Sequence, residues 1–575
     1  MSDAVYVPSQ IKDISLLNPL LSADPWRVCT QRVSWNLGLS NGTDTYGNTL
    51  TAHPIPTAVH AIKVRYESIK RGSGQQGDRD ASTPQPTTFQ LRAALWVLYG
   101  TYTISSPTST GGSLPSAVTA SDLLGKTVVV KASASTNAAI ITGNTGNAFT
   151  VASWSGGTPT TGSTIYIFDI YPLTFAGNRS INMEPYTVID TDPYNIDIPA
   201  VSTIYIATNV YGATGTYWSK GTFSNDYATN LEFCQSGTGA NVDMTLGGWD
   251  TVASGNGMQP TTVLGIPNDQ SSFKSILGIG DSIGQANSDT NQFYRGVFGR
   301  AAQKYGLPIY NGSVSGEDTR SLNVNGMKLI ARMRQAPNCT VAYVETLVND
   351  AYNSVSVATT KSNLLAFYQQ LTRQGIRYIV QRMATPRLSV TSNADAYTQL
   401  SSQTAHSSES SRVAVNQWLR DTSSSGAVAQ ALAVGVTLKV FNACATLESS
   451  QDSGKWAVYA PSWTGLTVVS AGSNYIITSG TLSDYAAITG TGWQIKITSG
   501  LGAVTSGVGG TTAYASINNV ISSGGIRWNL NQSFSVQPTA GDTFSVYKYP
   551  TSDGVHPTGV SYDAEATALL AAGLF

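Results

Sequence analysis

Cysteine, histidine and charge are all scarce in this chain, and each shortage removes a class of function. Its 575 residues include four cysteines and four histidines, and charged residues make up 12%, about half the ~25% of an ordinary soluble domain. Cys29, Cys234, Cys339 and Cys444 are widely scattered with no C-x-x-C spacing, which neither demands disulfides nor suggests a metal and leaves buried free thiols as the expectation. His53, His60 and His406 lack metal-ligand spacing and an acidic cluster, so neither a metal nor another cofactor is expected. Lys plus Arg is 33 against 34 for Asp plus Glu; there is no basic field to draw in nucleic acid. No stretch approaches the ~20 apolar residues that cross a bilayer, so no membrane insertion is expected. MSDAVYVPSQ at the start lacks the basic residues and apolar run of a secretory signal.

Abundant Gly, Ser and Thr speak instead for β-rich, loop-rich structure, and the length asks for several domains. Residues 1–100 and 171–270 read as an N-terminal all-β sandwich or jelly roll, because Ile62, Val64 and Tyr66, and then Phe89, Leu91, Ala93, Leu95 and Val97, alternate with polar neighbours. Two charge-poor segments, 101–170 and 458–549, read as inserted small β modules. Both close alike: Pro159-Thr160-Thr161-Gly162-Ser163-Thr164-Ile165 in the first, Pro538-Thr539-Ala540-Gly541-Asp542-Thr543-Phe544 in the second, each leading into a strand that ends on Tyr-Pro. Such self-similarity points to one module used twice. Trp154, Trp456, Trp463, Trp493 and Trp528 lie in or beside the modules; exposed, they would form a sugar-stacking surface, and buried, a core.

Residues 271–457 and 550–575 form a different kind of domain. Strands are expected at Lys274–Gly280, Leu307–Tyr310, Val341–Thr346, Arg377–Arg382 and Val436–Phe441, with helical patterning between them, as at Phe293–Tyr305, Asn363–Arg373 and Arg412–Leu419. That alternation argues a parallel five-stranded sheet in an α/β/α domain, whose site lies outside the carboxyl ends of the strands. Ser282 follows the first strand, Gly316 the second, Asn349-Asp350 the third, and Asp553 and His556 the fifth. Of the histidines, His556 alone has an acid three residues before it, so a single turn through Gly554 can orient an imidazole with a carboxylate. An imidazole so held takes the proton of a serine hydroxyl, itself a weak nucleophile. Asp281 and Asp350 suit loop scaffolding through backbone N–H bonds.

Gly280-Asp281-Ser282-Ile283, Ser315-Gly316 after Asn311, Asn349-Asp350 and Asp553-Gly554-Val555-His556-Pro557, in this order, resemble the first, second, third and fifth blocks of the SGNH hydrolases, or GDSL esterases, with their flavodoxin-like sheet. The resemblance implies Ser282 as nucleophile, His556 as general base and Asp553 as its orienting acid. It also implies an oxyanion hole from the backbone N–H groups of Ser282 and Gly316 and the amide of Asn349. Leu347 replaces the usual glycine of the third block, and Ile283 stands where leucine is commoner. Similarity to multi-domain phage tail and tailspike esterases implies a polysaccharide deacetylase, its partner an O-acetylated capsule, O-antigen or exopolysaccharide, carried on a virion with other tail proteins and released by lysis. Such proteins are often trimers, although no heptad or collagen-like repeat is present. A general carboxylesterase or lipase shares the same residues, an inactive receptor-binding virion protein would keep the fold, and Glu345 with Asp350 would be the acids of a glycosidase.

Overall fold

The computed structural model describes residues 24–32, 38–70, 84–116, 118–131, 136–222, 231–248, 256–289, 295–322, 330–389, 400–485, 488, 492–499, 514–523, 525–531, 534, 537–551 and 553–575. Antiparallel sheets dominate, and five strands form one parallel sheet.

In the N-terminal region β1 (Tyr46–Ile55), β2 (Val59–Glu67) and β3 (Phe89–Thr103) are long alternating strands. The inward residues of β2, Ile62, Val64 and Tyr66, are fully buried and share a core with Phe89, Leu91 and Leu95 of β3. Each such side chain contributes about 1.5–3 kcal/mol by leaving water. Strand β3 does not stop at the boundary expected near Tyr99-Gly100. It runs on to Thr103 and carries the first module, whose β4 (Gly111–Ser113), β5 (Thr127–Lys131), β6 (Thr136–Thr145) and β7 (Ala148–Val151) extend the same sheet and return through β8 (Thr164–Leu173). The sandwich is completed by β9 (Ser202–Tyr211), β10 (Phe233–Gly237) and β11 (Thr262–Pro267).

The parallel sheet comprises β12 (Ile276–Gly280), β13 (Ile309–Asn311), β14 (Val341–Glu345), β15 (Tyr378–Arg382) and β16 (Leu438–Phe441), ordered β13-β12-β14-β15-β16. Its strands are apolar runs because both faces are covered. Helices α1 (Gly296–Tyr305) and α6 (Gly559–Ala571) pack on one face through Phe298, Ala302, Tyr562 and Leu569. On the other lie α3 (Val357–Arg373), α4 (Glu409–Arg420) and α5 (Ala427–Ala433). The short α2 (Val348–Tyr352) follows β14. Phe293 lies outside the described residues, and α3 starts before Asn363 because Ser356 caps it, its Oγ accepting from Thr359 N–H at 3.1 Å.

The second module lies between β16 and α6. Its sheet contains β17 (Pro461–Thr467), β18 (Tyr475–Thr478), β19 (Trp493–Ser499), β20 (Tyr514–Ser522), β21 (Ile526–Leu530) and β22 (Thr543–Lys548). Its tryptophans fill cores. Trp493 and Trp528 pack with Val468 and Phe544, Trp154 is buried in the first module, Trp456 is fully buried, and half-buried Trp463 lies against Trp493. These five therefore supply no stacking platform; a large ring in a small β module is worth more inside than out.

The sandwich docks on the parallel sheet at the edge opposite Ser282 and His556. Arg65 donates to Gln335 Oε1 at 2.9 Å and Asn338 Oδ1 at 2.8 Å, just before β14, and Ile309, which opens β13, donates its N–H to Thr30 O at 2.8 Å. These are the amino ends of the strands. Among the described residues no helix is long and apolar enough to span a membrane, and all four cysteines are buried and unpaired.

Candidate active site

At the carboxyl end of β12 the chain turns sharply, and the bend is held from below. Asp281 N–H donates to the carbonyl of Glu345 at 3.1 Å, and Gly284 N–H to Glu345 Oε2 at 3.0 Å. Asp281 Oδ1 accepts from Ile283 N–H at 2.8 Å, the scaffolding bond expected of it. Ser282 is thereby fixed at the crest, 6% exposed.

The partner turn comes from the chain's last segment. Gly554 takes φ +79°, a conformation glycine adopts without steric cost. Its carbonyl accepts from Leu388 N–H at 3.0 Å and from Trp456 Nε1 at 3.1 Å, so Trp456, just before the second module, pins the turn that carries Asp553 and His556. Asp553 Oδ1 accepts the N–H groups of Val555 at 2.9 Å and His556 at 2.8 Å. Its Oδ2 lies 2.5 Å from His556 Nδ1, and His556 Nε2 lies 2.7 Å from Ser282 Oγ. Burial alone would raise the Asp553 carboxyl, but the bond to His556, the imidazole's charge and the two backbone N–H groups outweigh it and hold the group at about 2. An ionised Asp553 accepts only, so Nδ1 carries the proton and Nε2 is free to accept from Ser282.

The expected oxyanion donors divide. Among the described residues, the backbone N–H groups of Ser282 and of Gly316, in the turn after β13, donate to no protein acceptor. Asn349 lies close to Ser282, bonded to its neighbour Asp281, and its two amide hydrogens are committed, to Asp281 Oδ2 at 3.1 Å and to Glu317 O at 3.0 Å. Donation from Asn349 to an oxyanion therefore requires release of one of them. Leu347 stands at φ +144° and is 2% exposed. Its side chain is held in the apolar core that includes Phe367 and Val415, and a non-glycine residue so placed stores about 1–3 kcal/mol of strain at the base of α2.

Below the serine lies a charge cluster that the chain order did not reveal. Arg382 binds Glu565 through Nη2 at 2.9 Å and Glu345 through Nη1 at 3.5 Å, all fully or nearly buried. Asp281 makes a third carboxyl near one guanidinium. Burial, then the charge of Glu345, push its carboxyl well above the usual range. Glu345 is thus a structural anchor, and Asp350 is held by Thr319 N–H at 3.1 Å and Thr360 Oγ1 at 3.0 Å. Neither stands as a glycosidase acid facing a cleft. Arg387 lies in the loop after β15, an inner strand of the parallel sheet.

No family model and no curated protein matches this chain. Solved structures that part of this chain matches include an SGNH-hydrolase family esterase, AlinE4, with 17% identity over 30% of this chain and 77% of that one at a TM-score of 0.20. A lipolytic protein of the G-D-S-L family from Desulfitobacterium hafniense has 11% identity over 32% and 91% at 0.23. An acetyl xylan esterase from Geobacillus stearothermophilus has 16% identity over 31% and 87% at 0.17.

Proposed function

We propose that this protein is an SGNH-type serine ester hydrolase that removes O-acetyl groups from a bacterial surface polysaccharide. The observation that carries the reaction class is the relay from Ser282 Oγ through His556 to Asp553, with contacts of 2.7 and 2.5 Å, beside two backbone N–H groups with no protein acceptor. Ser282 Oγ attacks the ester carbonyl as its proton passes to His556 Nε2. The tetrahedral oxyanion takes hydrogen bonds from the N–H groups of Ser282 and Gly316, and collapse expels the sugar alkoxide, which leaves with the proton from His556. Water, deprotonated by the same imidazole, then attacks the acetyl-serine and releases acetate. The polysaccharide substrate and a tail-borne, virion location are the finer part of this reading. They are supported by the low-charge, Gly/Ser/Thr-rich β exterior and by a β module set directly before the catalytic turn.

The test is hydrolysis of 4-nitrophenyl acetate, followed by acetate release from O-acetylated capsule, O-antigen and exopolysaccharide. Ser282→Ala and His556→Ala should each lower kcat by about 10⁶. If wild type and Ser282→Ala are equally inert on every ester, the hydrolase reading is wrong.

A further inference from the structure

Arg387 leaves the carboxyl end of β15 on a loop tied to the catalytic turn: Leu388 N–H donates to Gly554 O at 3.0 Å, and His406 N–H to the carbonyl of Arg387 itself at 2.9 Å. Its guanidinium carbon lies 3.5 Å from the centre of the Tyr352 ring. Tyr352 ends α2, the helix that carries Asn349, and is 48% exposed. Stacking on an aromatic face fixes the plane of the guanidinium fork while its N–H edge keeps its donors.

The surroundings of this arginine differ from those of its neighbours. Arg382 is paired with Glu565 and Glu345, Arg412 with Glu448, Arg332 with Glu317 and Arg320 with Asp318. Half-buried Arg387 lies on the loop bonded to Gly554, itself between Asp553 and His556, yet among the described residues its guanidinium has neither an ion pair nor a hydrogen bond. Partly desolvating a cation is unfavourable unless an anion meets it. An oriented, unpaired fork at the rim of a hydrolytic site matches a carboxylate, which it binds with two parallel hydrogen bonds.

We propose that Arg387 binds a carboxylate of the substrate, so that the ester cleaved at Ser282 belongs to an acidic sugar of the uronic acid class. The inference rests on the esterase reading and narrows it: a neutral acetylated glycan lacks the group that Arg387 is set to receive. Tyr352 fixes the guanidinium and borders the bound sugar.

The experiment compares acetate release from acetylated methyl glucuronoside and acetylated methyl glucoside, which differ at C6. Wild type should favour the glucuronoside in kcat/KM by about tenfold or more, chiefly through KM, the value of a charge-assisted hydrogen bond. Arg387→Gln should bring the ratio close to one, and Arg387→Lys, which keeps the charge and loses the fork, should fall between. No preference in wild type, or a preference that survives Arg387→Gln, overturns the assignment. A second measurement separates this from failure of the esterase reading: calorimetric titration of Ser282→Ala with sodium glucuronate and with glucose. Glucuronate binding that disappears in the Ser282→Ala/Arg387→Gln double variant upholds the anion site even if no ester is cleaved. Ester cleavage that ignores C6, with no glucuronate binding, defeats the anion site alone.

Discussion

In the first inserted module the strands lie side by side in the order β3-β8-β5-β6-β7-β4; in the second they lie in the order β17-β22-β19-β20-β21-β18. The second also carries a short outer strand, Ser470–Gly472, paired with β18; numbered by position within each module with that strand set aside, the two orders are the same arrangement. The joints agree atom for atom. Ile104 N–H donates to Ser163 O at 3.0 Å and Gly162 N–H to Ile104 O at 2.8 Å; in the second, Val468 N–H donates to Asp542 O at 2.8 Å and Gly541 N–H to Val468 O at 2.9 Å. Ile104 and Val468 are each buried in the core of their own module. What differs is the host. The first prolongs two strands of a sandwich that docks at the amino ends of the parallel sheet. The second delivers its last strand to Tyr549, whose N–H meets Gly492 O at 2.9 Å and whose carbonyl accepts from Thr558 Oγ1 at 2.7 Å, a clasp around the turn that carries Asp553 and His556. The same β unit is thus remote from the Ser282–His556–Asp553 relay in one place and set beside it in the other.

The largest effect expected from this contrast falls on the residue four positions beyond each Tyr171-Pro172 or Tyr549-Pro550 exit. Asp553→Asn should lower kcat by about 10⁴, the loss that follows when an imidazole is left in the wrong tautomer. Phe175→Leu, at the same offset after the first module, touches only the sandwich core and should lower Tm with kcat retained. The carboxyl of Asp553 is depressed to about 2, so its stabilising contribution is complete above its unfolded value near ~3.9 and is lost as pH falls toward 2. The stability gap between wild type and Asp553→Asn should accordingly close over that window in acid denaturation. A gap independent of pH would mean that the charge of Asp553 is not what holds the turn.

Excision is the next test. Thr103 pairs with Thr164, and Thr467 with Thr543, so residues 104–163 or 468–542 can each be replaced by an Asn-Gly hairpin turn. Losing the second module removes β19 and the Gly492 bond to Tyr549. Esterase activity should then fall by about 10²-fold, the cost of misplacing catalytic groups by about 1 Å. Losing the first should leave kcat/KM where it was. Equal losses would show that both modules act only through global stability.

The sequence was legible where function or repetition is written locally. Asp553 and His556 sit on one turn, Ser282 directly follows an apolar strand, and the paired module ends share Gly162 and Gly541 in similar polar settings. It was silent where the outcome depends on contacts between distant residues. Which edge the sandwich covers is decided by Arg65 meeting Gln335 and Asn338, partners about half the chain away. The burial of Trp493 and Trp528 likewise follows from the assembled module, since a tryptophan flanked by polar residues reads equally well as a platform. Asn349 was identifiable by its block, but its commitment to Asp281 and Glu317 depends on how three strand ends converge.

The smallest expected effect is the most direct check on the equivalence of the two modules. Gly162 and Gly541 take φ of +84° and +93°, and a Cβ at either would meet nothing within 4 Å. Alanine there would be opposed by backbone conformation alone, at about 1–2 kcal/mol, with no clash to confuse the result. Gly162→Ala and Gly541→Ala should therefore destabilise their own modules by similar amounts, measured by amide hydrogen exchange of the strands that follow, β8 and β22. Only Gly541→Ala should also affect ester turnover, because β22 runs into the clasp at Tyr549. A marked inequality between the two destabilisations would mean that the shared hydrogen-bond pattern hides different backbone demands. An equal effect of both on turnover would mean that the second module's position beside the catalytic turn has no bearing on its chemistry.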